Sequence, residues 1–417
     1  MKQLVFAWMV LLSTLASARE AVIYSFQGGT DGAMPIGGLI ADSHGNLYGV
    51  TEYGGTGPCA YNFTDQTGCG TVFELSPVGK GGWTESVIYS FRGEADGMLP
   101  QAGLTVDRQG DLYGTTGYDT PCPPTCGSVF KLSAVAGNWK FHVLHAFTGG
   151  KDGGSPGGGV VLDAAGNVFG TTRSFGAKGY GTLFQISRTL AGWRLRTIHA
   201  FDLGTDGGSP AGALVLGFDG AVYGTTQYGG NSVNGLTYGV LYKVFQNGRG
   251  NWKEKMLYSF HGGRDGGNPL FGLSSDPLGN LYGVTPRTID SWGTAFEFVP
   301  NANGKWNHKI LYHFHSPKEG PSDPDGTVIL DPFGSVYGTT LNGEGAIGDG
   351  TVYELTPQSE NTWSATPIYS FAGQGDGSHP IGQLLFDQSG NLYGVTTQGG
   401  GTGCANAGCG TVFEIAP

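Results

Sequence analysis

Short apolar stretches of five or six residues, rich in Val, Ile, Leu, Phe and Tyr, run along the chain at regular intervals. Small polar turns separate them. Short runs rich in Val, Ile, Phe and Tyr between turns predict β-strands with a pleated, partly buried surface. Leu47-Tyr48-Gly49-Val50-Thr51 returns from Leu112, Val168, Val222, Leu281, Val336 and Leu392, with the aromatic position recurring every 54 to 65 residues. Gly70-Thr71-Val72-Phe73-Glu74-Leu75 returns from Gly127, Gly181, Gly239, Gly293, Gly350 and Gly410. A third phrase ends in Phe at 26, 91, 147, 201, 260, 314 and 371. Repetition at this period is the signature of a repeat architecture.

Each unit reads as four strands: one like Gly37 to Asp42, a turn through Ser43-His44-Gly45-Asn46, a second at Leu47 to Thr51, a third at Gly70 to Leu75, and a fourth from Trp83 to Phe91. Four strands per unit and seven units predict an all-β, seven-bladed β-propeller. The last unit stops after its third strand, while Ala21 to Phe26 is a fourth strand without the other three. The N-terminal strand is therefore expected to complete the last blade and close the ring, which removes two exposed edges. Trp83, Trp139, Trp193, Trp252, Trp306 and Trp363 open the fourth strands. Repeated in this way, they point to packing between blades, as Gly49 and its equivalents point to close backbone approach.

The first eighteen residues stand apart from the repeat. Lys2, the apolar run Leu4 to Leu12 and Ala16-Ser17-Ala18 read as a signal peptide, which leaves residues 19 to 417 as one exported propeller domain. Nine apolar residues are too few to span a bilayer. Six cysteines fall in close pairs, Cys59 with Cys69, Cys122 with Cys126 and Cys404 with Cys409, and are read as disulfides of an extracytoplasmic protein. Asn62-Phe63-Thr64 fits a glycosylation acceptor. The 78 glycines without a three-residue period suit tight turns rather than collagen, and 12 % aromatics argue against disorder. A net charge of -11 leaves no basic patch for nucleic acid or an anionic membrane. A monomer is expected.

Val-x-Tyr-Ser-Phe, Asp-Gly-x-x-Pro, Gly-Asn-Leu-Tyr-Gly-Val-Thr and Gly-Thr-Val-Phe-Glu-Leu recur here in that order. Together they resemble the GloVer tandem repeat of exported bacterial proteins, which often carry a variable C-terminal anchor. The resemblance implies a propeller outside the cytoplasm and assigns no catalytic residue; with the last repeat ending at Pro417, attachment through such an anchor is not expected.

Candidate chemistry is sought where blades differ, because one ligand breaks the symmetry of a ring. Asp-Gly recurs at 31, 96, 152, 206, 265 and 376, with Glu319-Gly320 in the sixth blade. One Asp per loop is too few ligands for calcium, so Asp is assigned to capping the turn. Tyr180, Tyr238 and Trp292 stand before the third strands of consecutive blades. They form either a stacking platform for a glycan or rings packed beneath their own loops. His313, His315 and Glu319 cluster in the sixth blade as ligand-binding candidates. Gly153 to Gly157 matches a nucleophile elbow without the required helix. Asp323-Pro324-Asp325-Gly326 is too short for a calcium loop, and Gly399 to Gly403 lacks a helix for phosphate. The expectation is a binding module for a glycan or surface protein, with no cofactor. The alternatives are a polysaccharide lyase or hydrolase working at the channel mouth, and a structural surface protein.

Overall fold

The computed structural model describes residues 19–416 except 62–65, 80, 94–95, 118–124, 289–290, 344–348, 360–361 and 374. The leader, the Asn62 triplet and Cys122 lie outside the described residues. The chain is all-β, with two single-turn 3-10 segments, Gly29–Asp31 and Gly263–Asp265. Its sheets are built from sets of four antiparallel strands.

One set shows the logic. Ala33–Ala41 pairs with Leu47–Tyr53, which pairs with Thr71–Val78, which pairs with Gly82–Ser90. The first hairpin closes because Asp42 Oδ1 accepts from the amides of His44 (2.8 Å) and Asn46 (3.0 Å), while Gly45 takes φ 85°. Asp107, Asp163, Asp276, Asp331 and Asp387 make the same turn. The third strand is buried over its first half and exposed at its end, as are its equivalents Ser128–Val135 and Thr182–Thr189.

Innermost strands meet the inner strands of their neighbours backbone to backbone. A Cβ on Gly37 would lie 2.1 Å from the Gly103 nitrogen, and one on Gly326 2.1 Å from the Gly382 oxygen. Only glycine permits that approach. Within a set, Gly49 makes room for the Phe73 ring, which a Cβ would meet at 2.5 Å; Gly114 and Phe130, and Gly394 and Phe413, repeat the arrangement. The apolar clusters lie between neighbouring sets: Tyr48 and Val50 pack with Leu112, Phe130 and Leu132 of the next. Farther out, Trp139 meets Tyr48 edge-on at 5.8 Å, Trp252 meets Phe169 at 5.9 Å and Trp306 packs tilted on Tyr223 at 5.6 Å. The tryptophans are the packing elements that their repetition predicted.

The chain termini meet. Arg19–Ser25 pairs antiparallel with Thr411–Ala416, Arg19 opposite Ala416 and Ser25 opposite Thr411. Trp83 packs on Tyr393 at 6.2 Å, and a single parallel bridge, Gly38 with Gln383, links the first and last sets.

Candidate functional site

The Asp-Gly turn is a lock. Each Asp accepts the backbone amide four residues before it and contacts the aromatic or imidazole side chain seven residues before it. Asp31 takes the Gln27 amide (2.6 Å) and the Tyr24 hydroxyl (2.5 Å); Asp152 takes the Thr148 amide (3.0 Å) and contacts His145 Nε2 (3.0 Å). Asp96, Asp206, Asp265 and Asp376 do the same. The following glycine has positive φ and sits on a buried Thr: a Cβ on Gly97 would lie 1.9 Å from Thr116 Oγ1. These carboxylates are spent on the turn.

Two residues past that glycine, or three in the sixth set, come left-handed residues that are not glycine: Met34, Leu99, Ser155, Ser209, Asn268, Asp323 and His379, all with φ between 52° and 57°. Each places its amide on the carbonyl of the residue before the preceding set's third strand. Ser209 donates to Tyr180 (2.9 Å), Asn268 to Tyr238 (2.7 Å) and Asp323 to Trp292 (3.2 Å). A proline follows each of them. The residue after that proline lines a cavity of about 260 Å³, into which the inner strands of every set converge. Its wall is mostly glycine and aliphatic, with Gln101, Arg173, Asp325, Thr327 and Gln383 as the polar exceptions.

Asp325 is the buried carboxyl of this cavity, 8 % exposed, and its Oδ1 has no partner among the described residues. Burial, with the charge of Asp323 close by, pushes it up to about 7. Asp323 is also 8 % exposed; Asn342 Nδ2 donates to its Oδ2 (2.5 Å), and Arg287 approaches the same oxygen to 3.8 Å. Its Oδ1 too is without a partner. Burial raises the Asp323 carboxyl, against the pull of Asn342 and Arg287. Arg287 lies over the Trp292 ring at 3.9 Å. Arg173 runs its stem across Gly157, where a Cβ would meet Cδ at 2.5 Å, and among the described residues its guanidinium has no ion pair or hydrogen bond. Next to this wall, burial raises Glu52, which accepts from Gln101 Nε2 (3.2 Å). The arrangement offers a guanidinium, a carboxyl that changes protonation near neutrality, and amide groups around a small recess.

The residues singled out from sequence are distributed differently. Tyr180 is 43 % exposed. The Tyr238 ring lies under its turn, within 2.5 Å of where a Cβ on Gly262 would be, and Trp292 is covered by Arg287. The three share a register position but not one environment. His313 is half-buried and lines a surface groove with exposed His315; burial first, then the charges of Arg264 and His315, lower it. Glu319 is exposed, and its amide donates to the Ser316 carbonyl (2.8 Å). Among the described residues no three His, Cys, Asp or Glu side chains are arranged to hold a metal ion. Cys59–Cys69 and Cys404–Cys409 are disulfides, and Cys126 is disulfide-bonded. Cys404 comes within 3.6 Å of Gln66 Oε1, so the loops of the last and first sets meet.

Asp323, Asp325, Arg173 and Arg287 went unseen as a group. One signal was present: Tyr312 and Asp323 are one residue farther apart than equivalent pairs such as Tyr24 and Met34.

The repeat recurs well beyond this chain. The Gloeobacter/Verrucomicrobia repeat matches residues 12–238, 59–290 and 289–417. The chain belongs to that family. Among curated proteins none matches it in sequence. Solved structures that resemble this repeat protein are β-propeller-like. The extracellular domain of a candidate one-component system from Bacteroides thetaiotaomicron superposes with TM-score 0.54 at 14 % identity, over 96 % of this chain and 42 % of its own. A Lactobacillus plantarum protein gives 0.52 at 13 % identity, over 80 % and 86 %. A candidate 6-phosphogluconolactonase from Bacteroides fragilis gives 0.51 at 12 % identity, over 87 % of each chain. At these identities the likeness concerns the fold. No helix among the described residues is long and apolar enough to cross a membrane.

Proposed function

We propose that this repeat protein is an exported, closed seven-bladed propeller that works as a binding module for a glycan. Two observations support closure: the pairing of Arg19–Ser25 with Thr411–Ala416, and the packing of Trp83 on Tyr393. The disulfides support a home outside the cytoplasm. The observation that carries the binding reading is the cavity of about 260 Å³ where all inner strands converge. Features that break the repeat line it: Arg173, which has no ion pair among the described residues, and the buried Asp325. A concave recess with a few convergent polar groups and a perturbed carboxyl is the usual form of a small-ligand site. Its size suits a single ring at the end or side of a polymer.

The test is incubation of residues 19–417 with a panel of polysaccharides, reading both depletion of protein onto polymer and release of soluble sugar. Depletion without release is the expected result. Release would favour the second reading, a polysaccharide lyase or hydrolase, for which the two neighbouring carboxyls Asp323 and Asp325 are the relevant observation. Neither signal on any polymer would leave a protein partner or a structural role.

A further inference from the structure

Within the glycan reading, and resting on it, the chemistry of the cavity selects among sugars. Among the described residues, Asp325 and Asp323 both keep an oxygen without a hydrogen-bond partner although both are buried. Buried acceptors left empty are costly and rare, and they mark a place where donors from another molecule belong. Arg173 supplies the opposite requirement: it lines the cavity and, among the described residues, has no carboxylate paired with it. It stands at the end of the strand Val168–Thr172, while Asp325 follows Ser322–Pro324 three sets farther along the chain. A ligand touching both would bridge the recess.

The charges decide the class. Arg287 lies against Asp323 at 3.8 Å and offsets it. A carboxyl near 7 leaves Asp325 substantially protonated at neutral pH. Arg173 is then the uncompensated charge of the wall, so the recess favours a ligand with one negative charge. Planar, forked geometry makes a carboxylate the matching anion. The empty Oδ1 of Asp325 calls for a hydroxyl donor on the same ligand. We propose that the cavity is a subsite for a hexuronate unit of an acidic polysaccharide. Its carboxylate would lie on Arg173 and a hydroxyl on Asp325.

Calorimetric titration of residues 19–417 with glucuronate and galacturonate, and with glucose and galactose as uncharged counterparts, tests this. A uronate is expected to bind at least tenfold more tightly than its neutral counterpart. Arg173→Gln should lower uronate affinity roughly 10- to 100-fold, the worth of a charged hydrogen-bonded pair. Arg173→Lys should fall between, and both variants should keep the wild-type circular dichroism spectrum and melting temperature. Asp325→Ala should weaken uronate binding while its fold is checked in the same way. Equal binding of neutral sugar and uronate, uronate binding indifferent to Arg173, or no uronate binding would each overturn the proposal. The polysaccharide panel separates the two claims. Retention on neutral polymers with an inert cavity would leave the glycan reading standing and this subsite refuted, and no retention at all would remove both.

Discussion

Asp325 shows how a single residue can cost stability where it serves a site. Its carboxyl sits near 7 in the folded chain, against an ordinary value of 3.8. Between those values the folded chain holds more protons than the unfolded one, so the contribution of Asp325 to stability falls as pH rises from about 4 to 7. Asp325→Asn removes the charge and keeps the shape. The variant is expected to be more stable than wild type at pH 8, by on the order of 2–4 kcal/mol, and little different at pH 4. Urea unfolding at both pH values reads this directly; no gain at pH 8 would mean that the buried carboxyl ionises without hindrance. The same substitution should impair uronate binding, a trade of function against stability common at active sites.

The four-strand set is held at one end by its Asp-Gly turn, so the turn is where an element can be broken. Asp265 accepts from Tyr258 (2.6 Å) and the His261 amide (2.8 Å), and His308 Nδ1 of the next set lies 3.1 Å away. These bonds more than offset burial and hold the carboxyl well below its usual range. Its stabilising effect therefore persists at every pH above the ordinary carboxylate value and is lost only in strong acid. Asp265→Ala should cost about 1–3 kcal/mol by leaving buried donors empty. Glu319→Ala, at the variant turn where no such lock forms among the described residues, should cost almost nothing. Denaturant midpoints of the two variants at pH 7 provide the comparison, and equal losses would remove the lock from the argument.

Across the whole molecule, neighbouring sets set acid against acid. Glu85 faces Asp31 and is pushed up to about 7, Glu20 faces Asp376 and reaches about 6, and Glu254 faces Asp206 and reaches about 7; burial is the first cause in each case. All three raised carboxyls stabilise the folded chain below the ordinary range and lose that contribution as pH rises through 6 to 7. The melting temperature is therefore expected to fall between pH 5.5 and pH 8, and combining Glu20→Gln, Glu85→Gln and Glu254→Gln should flatten that slope. A profile as steep in the triple variant as in wild type would place the cause elsewhere. Ring closure makes its own prediction. Arg19→Cys with Ala416→Cys, facing each other in the terminal pair, should form an intramolecular crosslink in the monomer under mild oxidation. Crosslinks found only between chains would contradict a closed ring.

The strands, the four-strand unit and the pairing of the chain ends were legible in sequence, because β-branched and aromatic runs, turn residues and a fixed repeat are local properties of the chain. So were the roles of Gly49 and the tryptophans, where seven- or six-fold repetition left packing as the economical explanation. The site was not legible in the same way. Tyr180, Tyr238 and Trp292 share a repeat position, yet their exposure is set by what lies above each ring: open surface, a glycine turn, or Arg287. Asp323 and Asp325 looked like loop residues, and the chemistry of Asp325 arises only where inner strands distant in sequence bury it in a recess that Arg173 also lines. Periodicity reports which residues face a core; burial and charge at a point are sums over residues distant in sequence, and only the tertiary structure performs that sum.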